Sequence, residues 1–171
     1  MVADVEQDLS VLSEEDEDTL KDKYLTFHIG SEDFGIAIRH VTEIIGIQKI
    51  TEVPDSAEYI KGVINLRGKV IPIMDIRLRF GIDARAYDER TCVIVVNIES
   101  TSVGLVVDTV SDVVSIPEAD IEPSPAKSSG GQDSYISGMG KIGDEIKILL
   151  DVHKLLFTEE MEKSLATATE A

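Results

Sequence analysis

Metal sites, nucleophiles and phosphate cradles depend on histidine, cysteine and glycine at fixed spacings, and this chain offers few of them. His28, His40 and His153 are its only histidines, and none has an H-x-x-x-H neighbour. Cys92 is its one cysteine, so neither a C-x-x-C metal pair nor an internal disulfide can form. It opens an apolar run instead of a strained turn, which suits a small packing residue better than a nucleophile. The run Gly138-Met139-Gly140-Lys141-Ile142-Gly143 matches G-x-G-x-x-G. That fingerprint grips a pyrophosphate only where a helix opens at its end. Here Asp144 to Leu150 follows with the period of a strand, and the match is read as accidental.

Three charged residues remain. Glu43 and Asp112 occupy equivalent places in two related stretches, and paired acids can share acid–base work. Duplicated acids are more simply explained by shared local structure, such as the capping of a short turn. Arg67 stands beside Gly68, a structural turn residue whose freedom at positive φ fits a tight reversal. A turn fixed in this way holds the arginine out toward a partner's carboxylate or carbonyl. With no serine nucleophile motif, phosphate loop or metal cluster, the residues point to binding, and no cofactor is expected.

The elements that must position these residues read as strands. Leu25, Phe27 and Ile29 alternate with Tyr24, Thr26 and His28, the period of a half-buried strand, which puts His28 on the outer face. Phe34, Ile36 and Ile38 repeat the pattern after Gly30-Ser31-Glu32-Asp33, a turn-forming stretch that makes the two runs a hairpin. Val63 to Leu66 and Val70 to Met74 flank Arg67-Gly68-Lys69 as a second hairpin. Helical period appears late, in Val152, Leu155 and Leu156 and then Met161 and Leu165, with Asp151 placed as the N-cap and His153 in the first turn.

The chain also repeats itself. Shifted by 69, Phe34, Gly35, Ile36, Ile38, Val41, Glu43 and Ile44 fall on Val103, Gly104, Leu105, Val107, Val110, Asp112 and Val113. Shifted by 76, Tyr59-Ile60-Lys61-Gly62 falls on Tyr135-Ile136-Ser137-Gly138, and Val70, Ile73, Met74, Asp75 on Ile146, Leu149, Leu150, Asp151. The slip between registers falls near 123–131, a loop by its proline, serine and glycine content, where insertions are tolerated. The expected fold is mainly β: two five-stranded barrels built from the repeats (approximately 23–82 and 91–157), with strand exchange between them left open, short helical turns and a C-terminal helix. A barrel of about 60 residues buries too little surface to stand alone, so the two should pack together. Cys92 to Ile98 is apolar on both faces, unlike its alternating counterpart Lys23 to Ile29, and is expected where the barrels meet.

Charge bounds the partners. The 171 residues carry 33 acids and 16 bases, a formal net charge of −17, which disfavours nucleic acid and anionic lipid. The excess lies at the ends. Residues 1–22 hold nine acids, five of them in Glu14-Glu15-Asp16-Glu17-Asp18, and residues 158–171 hold four. Such segments bury too little apolar surface to offset chain entropy, so 1–22 is read as an acidic mobile arm and 158–171 as the end of the C-terminal helix and a tail. No uncharged stretch approaches the ~20 residues of a membrane span, so no direct membrane insertion is expected. No basic region precedes an apolar stretch at the start, so no export signal is expected, and cytoplasmic placement is.

The stretches Phe34-Gly35-Ile36, Val41-Thr42-Glu43-Ile44 and Tyr59 to Gly68, followed by Val70-Ile71-Pro72-Ile73-Met74-Asp75, resemble the CheW chemotaxis adaptor family. Val103 to Asp108 with Val110-Ser111-Asp112-Val113 resembles the family's second half, so the likeness spans roughly 23–157. The resemblance implies two SH3-like barrels side by side and a non-catalytic adaptor. Its partners would be the cytoplasmic tips of methyl-accepting chemoreceptors and the regulatory domain of the CheA histidine kinase, held together in signalling arrays at the inner face of the membrane. It further implies that Ile38, Glu43, Arg67 and Cys92 lie at a receptor groove between the barrels, with Ile38 and Cys92 giving apolar surface. Val41, Ile44, Gly46 and Gly62 would lie on the kinase surface. One alternative is a similar scaffold for a system other than motility. Another is a barrel-mouth enzyme using Glu43, His40 and Arg67, which would need a closed pocket around a perturbed base.

Overall fold

The structure, a computed structural model, describes residues 20–123 and 135–156. Most of the acidic arm, most of the loop near 123–131, Phe157 and the tail at 158–171, with its expected helical Met161 and Leu165, lie outside the described residues. The described chain is mainly β, as its periodicities require. In order it forms β1 (Lys23–Ile29), β2 (Glu32–Ala37), a 3-10 turn (Ile38–His40), β3 (Val41–Gly46), β4 (Ile60–Leu66), β5 (Lys69–Asp75) and α1 (Ile76–Arg79). Then follow β6 (Cys92–Ile98), β7 (Thr101–Val107), β8 (Thr109–Ser115), β9 (Ile121–Glu122), β10 (Ile136–Ile142), β11 (Glu145–Leu150) and α2 (Val152–Leu156).

Two sheets result, and they are not divided as the repeats are. One has the order β3-β6-β7-β5-β4 and uses the unbroken stretch 41–107; the other, β8-β1-β2-β11-β10-β9, joins the N-terminal hairpin to the C-terminal strands. We call them the contiguous and the composite sheet. Each repeat has lent its first hairpin to the other. The exchange follows one pattern twice: β2 runs parallel to β11 with Gly35 opposite Leu149, and β5 runs parallel to β7 with Ile73 opposite Gly104. Both glycines leave room for a close neighbour there. A Cβ at Gly35 would meet the Leu149 side chain at 3.0 Å, and one at Gly104 would meet Ile73 and Val93 at 2.7 Å. Strand exchange between the two halves, which the repeats leave open, is therefore present. The two copies share the same alternation, so either hairpin satisfies either edge, and only the three-dimensional path distinguishes them.

The ends of each sheet are brought toward one another, by backbone bonds in one case and by a short connection in the other. In the contiguous sheet β3 and β4 are the outermost strands, yet Thr51, just past β3, exchanges two 2.8 Å backbone hydrogen bonds with Val63 on β4. In the composite sheet only five residues separate the end strands β8 and β9. That sheet has six strands where five were expected, because two-residue β9 does for β10 what the single bridging residue Thr51 does for β4.

The main core lies between the sheets. It takes Leu25, Phe27 and Ile29 from β1 and their counterparts Ile94, Val96 and Ile98 from β6. Cys92–Ile98 lies at this seam, as its two apolar faces predict, but so does alternating β1. The difference is what the other face meets. Val93 and Val95 join Ile64, Ile71, Ile73 and Val106 in an aliphatic core inside the contiguous sheet. At the position corresponding to Ile71 the composite sheet has Lys147, 8% exposed, whose Nζ donates to Asp33 Oδ2 and Glu145 Oε1 at 2.8 Å each.

Candidate functional site

Arg67 and Gly68 are the two central residues of the β4–β5 hairpin, where Leu66 pairs with Lys69. Both have positive φ, 53° and 84°, and the Gly68 amide donates to Asn65 Oδ1 at 2.8 Å. Glycine takes that geometry without strain; arginine does not. In the corresponding β10–β11 turn the strained place is taken by Gly143, φ 58°. Arg67 therefore holds a left-handed conformation that the second copy reserves for glycine. Its guanidinium donates through Nη2 to Glu43 Oε2 on β3, and its side chain is 69% exposed against 21% for Glu43. Because β3 and β4 are the two ends of the sheet order, this ion pair also spans the closure of the contiguous sheet.

The other expected site residues divide by burial. Ile38 and Cys92 are 3% and 4% exposed and belong to the seam core, so the expectation that they give apolar docking surface is corrected. Burial pushes the Cys92 thiol pKa up, as suits a packing residue. Ile44, 0% exposed, is likewise a core side chain, because β3 turns that face to the seam. Val41 is half-buried and Gly46 exposed. Gly62 sits in a bulge of β4 at φ 143°, and a Cβ there would lie 2.1 Å from the Thr51 carbonyl oxygen. Its repeat partner Gly138 meets Glu122 at 2.9 Å in the same way, so local structure accounts for both glycines. Gly46 differs: nothing lies within 4 Å of its added Cβ and its φ is not positive, so the fold does not require glycine there.

The grouping an enzyme would need does not assemble. Burial above all lowers the His40 pKa, and the charged groups that act on it are Arg39, Asp151 and His153, with neither Glu43 nor Arg67 contributing. The Glu43–Arg67 hydrogen bond itself is exposed. Asp112 does not mirror Glu43; its backbone exchanges hydrogen bonds with the Thr26 hydroxyl. His153 is 55% exposed, 3.6 Å from Glu99. His28 is less free than its strand face suggests, lying 2.5 Å from Asp33 in the cluster around Lys147. Among the described residues no three metal-ligating side chains converge.

Structural charges that sequence reading missed gather at the crossovers. Asp108, between β7 and β8, accepts from Arg77 Nε at 2.9 Å, Arg77 Nη2 at 2.6 Å and the Gly30 amide at 2.8 Å. Arg77 above all holds its carboxyl pKa down at about 2. The Tyr87 hydroxyl donates to buried Asp75 at 2.6 Å, so burial and that carboxylate push the phenol pKa well up. Nothing in the spacing signals these contacts. The Tyr59–Tyr135 correspondence did carry a signal: the Arg79 guanidinium lies over both rings.

Comparison with known proteins agrees with this architecture. The family model described as the CheW-like domain matches residues 23–160. A chemotaxis protein CheW of Klebsiella aerogenes is 42% identical over 144 residues, covering 84% of this chain and 87% of that protein. Another from Rhizobium meliloti is 36% identical over 138 residues, covering 81% and 89%. The solved structure of the scaffolding protein TtCheW from Thermoanaerobacter tengcongensis superposes with a TM-score of 0.74 at 34% identity, covering 81% of this chain and 94% of that one.

Proposed function

The chain belongs to the CheW-like family, non-catalytic chemotaxis scaffolds that couple receptors to the CheA kinase, and we propose that its receptor contact centres on the Glu43–Arg67 pair. The observation that carries this is Arg67 itself. An arginine kept at φ 53° in a tight turn, tied by Glu43 and exposed over 69% of its side chain, combines backbone strain with a held, exposed cation. A guanidinium oriented in this way offers a planar donor fork to a carboxylate or carbonyl on a receptor's helical tip. Ile38 and Cys92 would shape that surface from beneath. On the kinase side, Gly46 and Val41 would meet the regulatory domain of CheA, with Ile44 and Gly62 supporting the strands. Among the described residues no helix is long and apolar enough to cross a membrane. We place the chain in the cytoplasm, on arrays at the inner face of the membrane.

Coupling requires more than two contacts. Receptor and kinase bound together must favour one kinase state, because a scaffold that binds both states equally shifts nothing. Titration calorimetry with a receptor-tip fragment tests the first contact. Arg67→Glu should weaken binding by about tenfold or more, the cost of losing a charge-assisted bond, with the thermal transition retained. Unchanged affinity would remove Arg67 from the receptor site. Gly46→Asp should weaken binding of the kinase regulatory domain and leave receptor affinity alone, since the position has open space. Equal kinase affinity for that variant would take Gly46 out of the interface.

A further inference from the structure

Both repeats bring an equivalent tyrosine to the seam core. Tyr59 precedes β4 and Tyr135 precedes β10, and their exposures are 8% and 4%. Each is tethered alike: the Tyr59 carbonyl accepts the Asp75 amide and the Tyr135 carbonyl the Asp151 amide, both at 2.7 Å. Asp75 and Asp151 in turn accept backbone hydrogen bonds at the starts of α1 and α2. The guanidinium of Arg79, at the end of α1, lies 5.2 Å from the centre of the Tyr59 ring and 5.0 Å from that of Tyr135. Its Nε donates at 3.2 Å to the carbonyl of Leu155, the residue that corresponds to Arg79 in the second repeat. The neighbouring Phe80 stacks on Tyr135 at 5.1 Å and 10° and touches Phe34 at 5.1 Å.

We infer that Arg79 is a positioning residue that fixes the angle between the two sheets, acting as one cation shared by both repeats. The seam also holds a run of ring contacts through Phe27, Phe34, Phe80 and Tyr135, but none of these includes Tyr59; most of the remaining side chains are aliphatic, and aliphatic contact has no preferred direction. A planar cation between two aromatic faces does, since it must lie over both rings at once. One repeat supplies it, and at the corresponding place the other has Leu155, fully buried in the seam core. The sheet-to-sheet angle sets the shape of any groove between them. The consequence for receptor binding thus rests on the role proposed above, while the clamp itself does not.

The test is a distance distribution between the sheets in the full chain. Nitroxides at Val70→Cys and Ile146→Cys, exposed equivalent positions on β5 and β11, report the separation by pulsed electron resonance, with buried Cys92 left in place. Arg79→Leu, which copies the residue at 155, should broaden the distribution about twofold, the scale on which two cation–π contacts compete with thermal motion. Amide protection within each sheet should remain. Arg79→Lys keeps the charge but loses the plane and the Nε donor, and should fall between. A distribution as narrow in Arg79→Leu as in the parent chain overturns the inference. Should that variant fail to fold, Arg79→Lys decides: parental width refutes the need for a guanidinium, and broadening supports it. Loss of receptor affinity plays no part in this measurement, so the clamp and the receptor contact can fail separately.

Discussion

Asp108 shows how one side chain can hold a crossover. Its carboxylate ties the β1–β2 turn, α1 and Arg85 of the following loop to the point where the chain leaves the contiguous sheet. Its folded pKa of about 2 lies below the ordinary carboxylate value, so the stabilisation is complete above about pH 4 and fades as pH falls toward 2. That depression corresponds to about 2 kcal/mol. Asp108→Asn should be less stable by about that amount at pH 7. Urea unfolding at several pH values would show the gap to the parent chain closing between pH 4 and 2; a gap constant with pH would refute the linkage. Gly62 and Gly46 give a second residue-scale contrast. Gly62→Ala must displace the Thr51 carbonyl from 2.1 Å at positive φ and should cost about 3 kcal/mol or more. Gly46→Ala, in open space, should change stability by well under about 1 kcal/mol. Equal thermal shifts for the two would contradict the geometry.

At the scale of elements, the hairpins differ in how well their turns suit them. The β6–β7 turn places Glu99 and Ser100 at φ 52° and 67°, where asparagine and glycine are favoured. Glu99→Asn with Ser100→Gly should stabilise the protein by about 1 kcal/mol, read as a raised denaturant midpoint with unchanged slope. The β4–β5 turn carries the same conformation with arginine in the first place, the residue we propose for the receptor contact. Sequence located both of the hairpins it proposed because alternation and turn residues are local signals. It set the first turn too long: Glu32 and Asp33 pair within β2, leaving Gly30-Ser31 as the loop. Asp33 belongs in the strand because it meets His28 and Lys147 there, contacts that no local rule contains.

Over the whole molecule, the two sheets share an outline and differ inside. The contiguous sheet encloses a buried core that is wholly aliphatic, whereas the composite sheet sets Lys147 and Asp33 beside buried Ile116 and Leu149 and is assembled from chain segments far apart in sequence. Lys147 above all draws the Asp33 pKa down, so this pair too is complete at neutral pH and fails in acid. Buried ion pairs return little net stability, and distant segments cost more chain entropy to bring together. Native-state hydrogen exchange should therefore find the slowest amides in β6 and β7 and an earlier opening of the composite sheet. One cooperative unit with uniform protection would count against this division.

The sequence by itself determined the strand periodicity, the duplication, the turn at Arg67-Gly68 and, through its resemblance, the family. Each is a local or repeated pattern, set by side-chain alternation and backbone freedom. Tertiary structure alone decided which hairpin completes which sheet, that Ile38, Ile44 and Cys92 face inward, and that Glu43 reaches Arg67. Two copies with the same alternation are interchangeable to any local rule. Only the closing of each sheet and the packing of the seam between them break that equivalence.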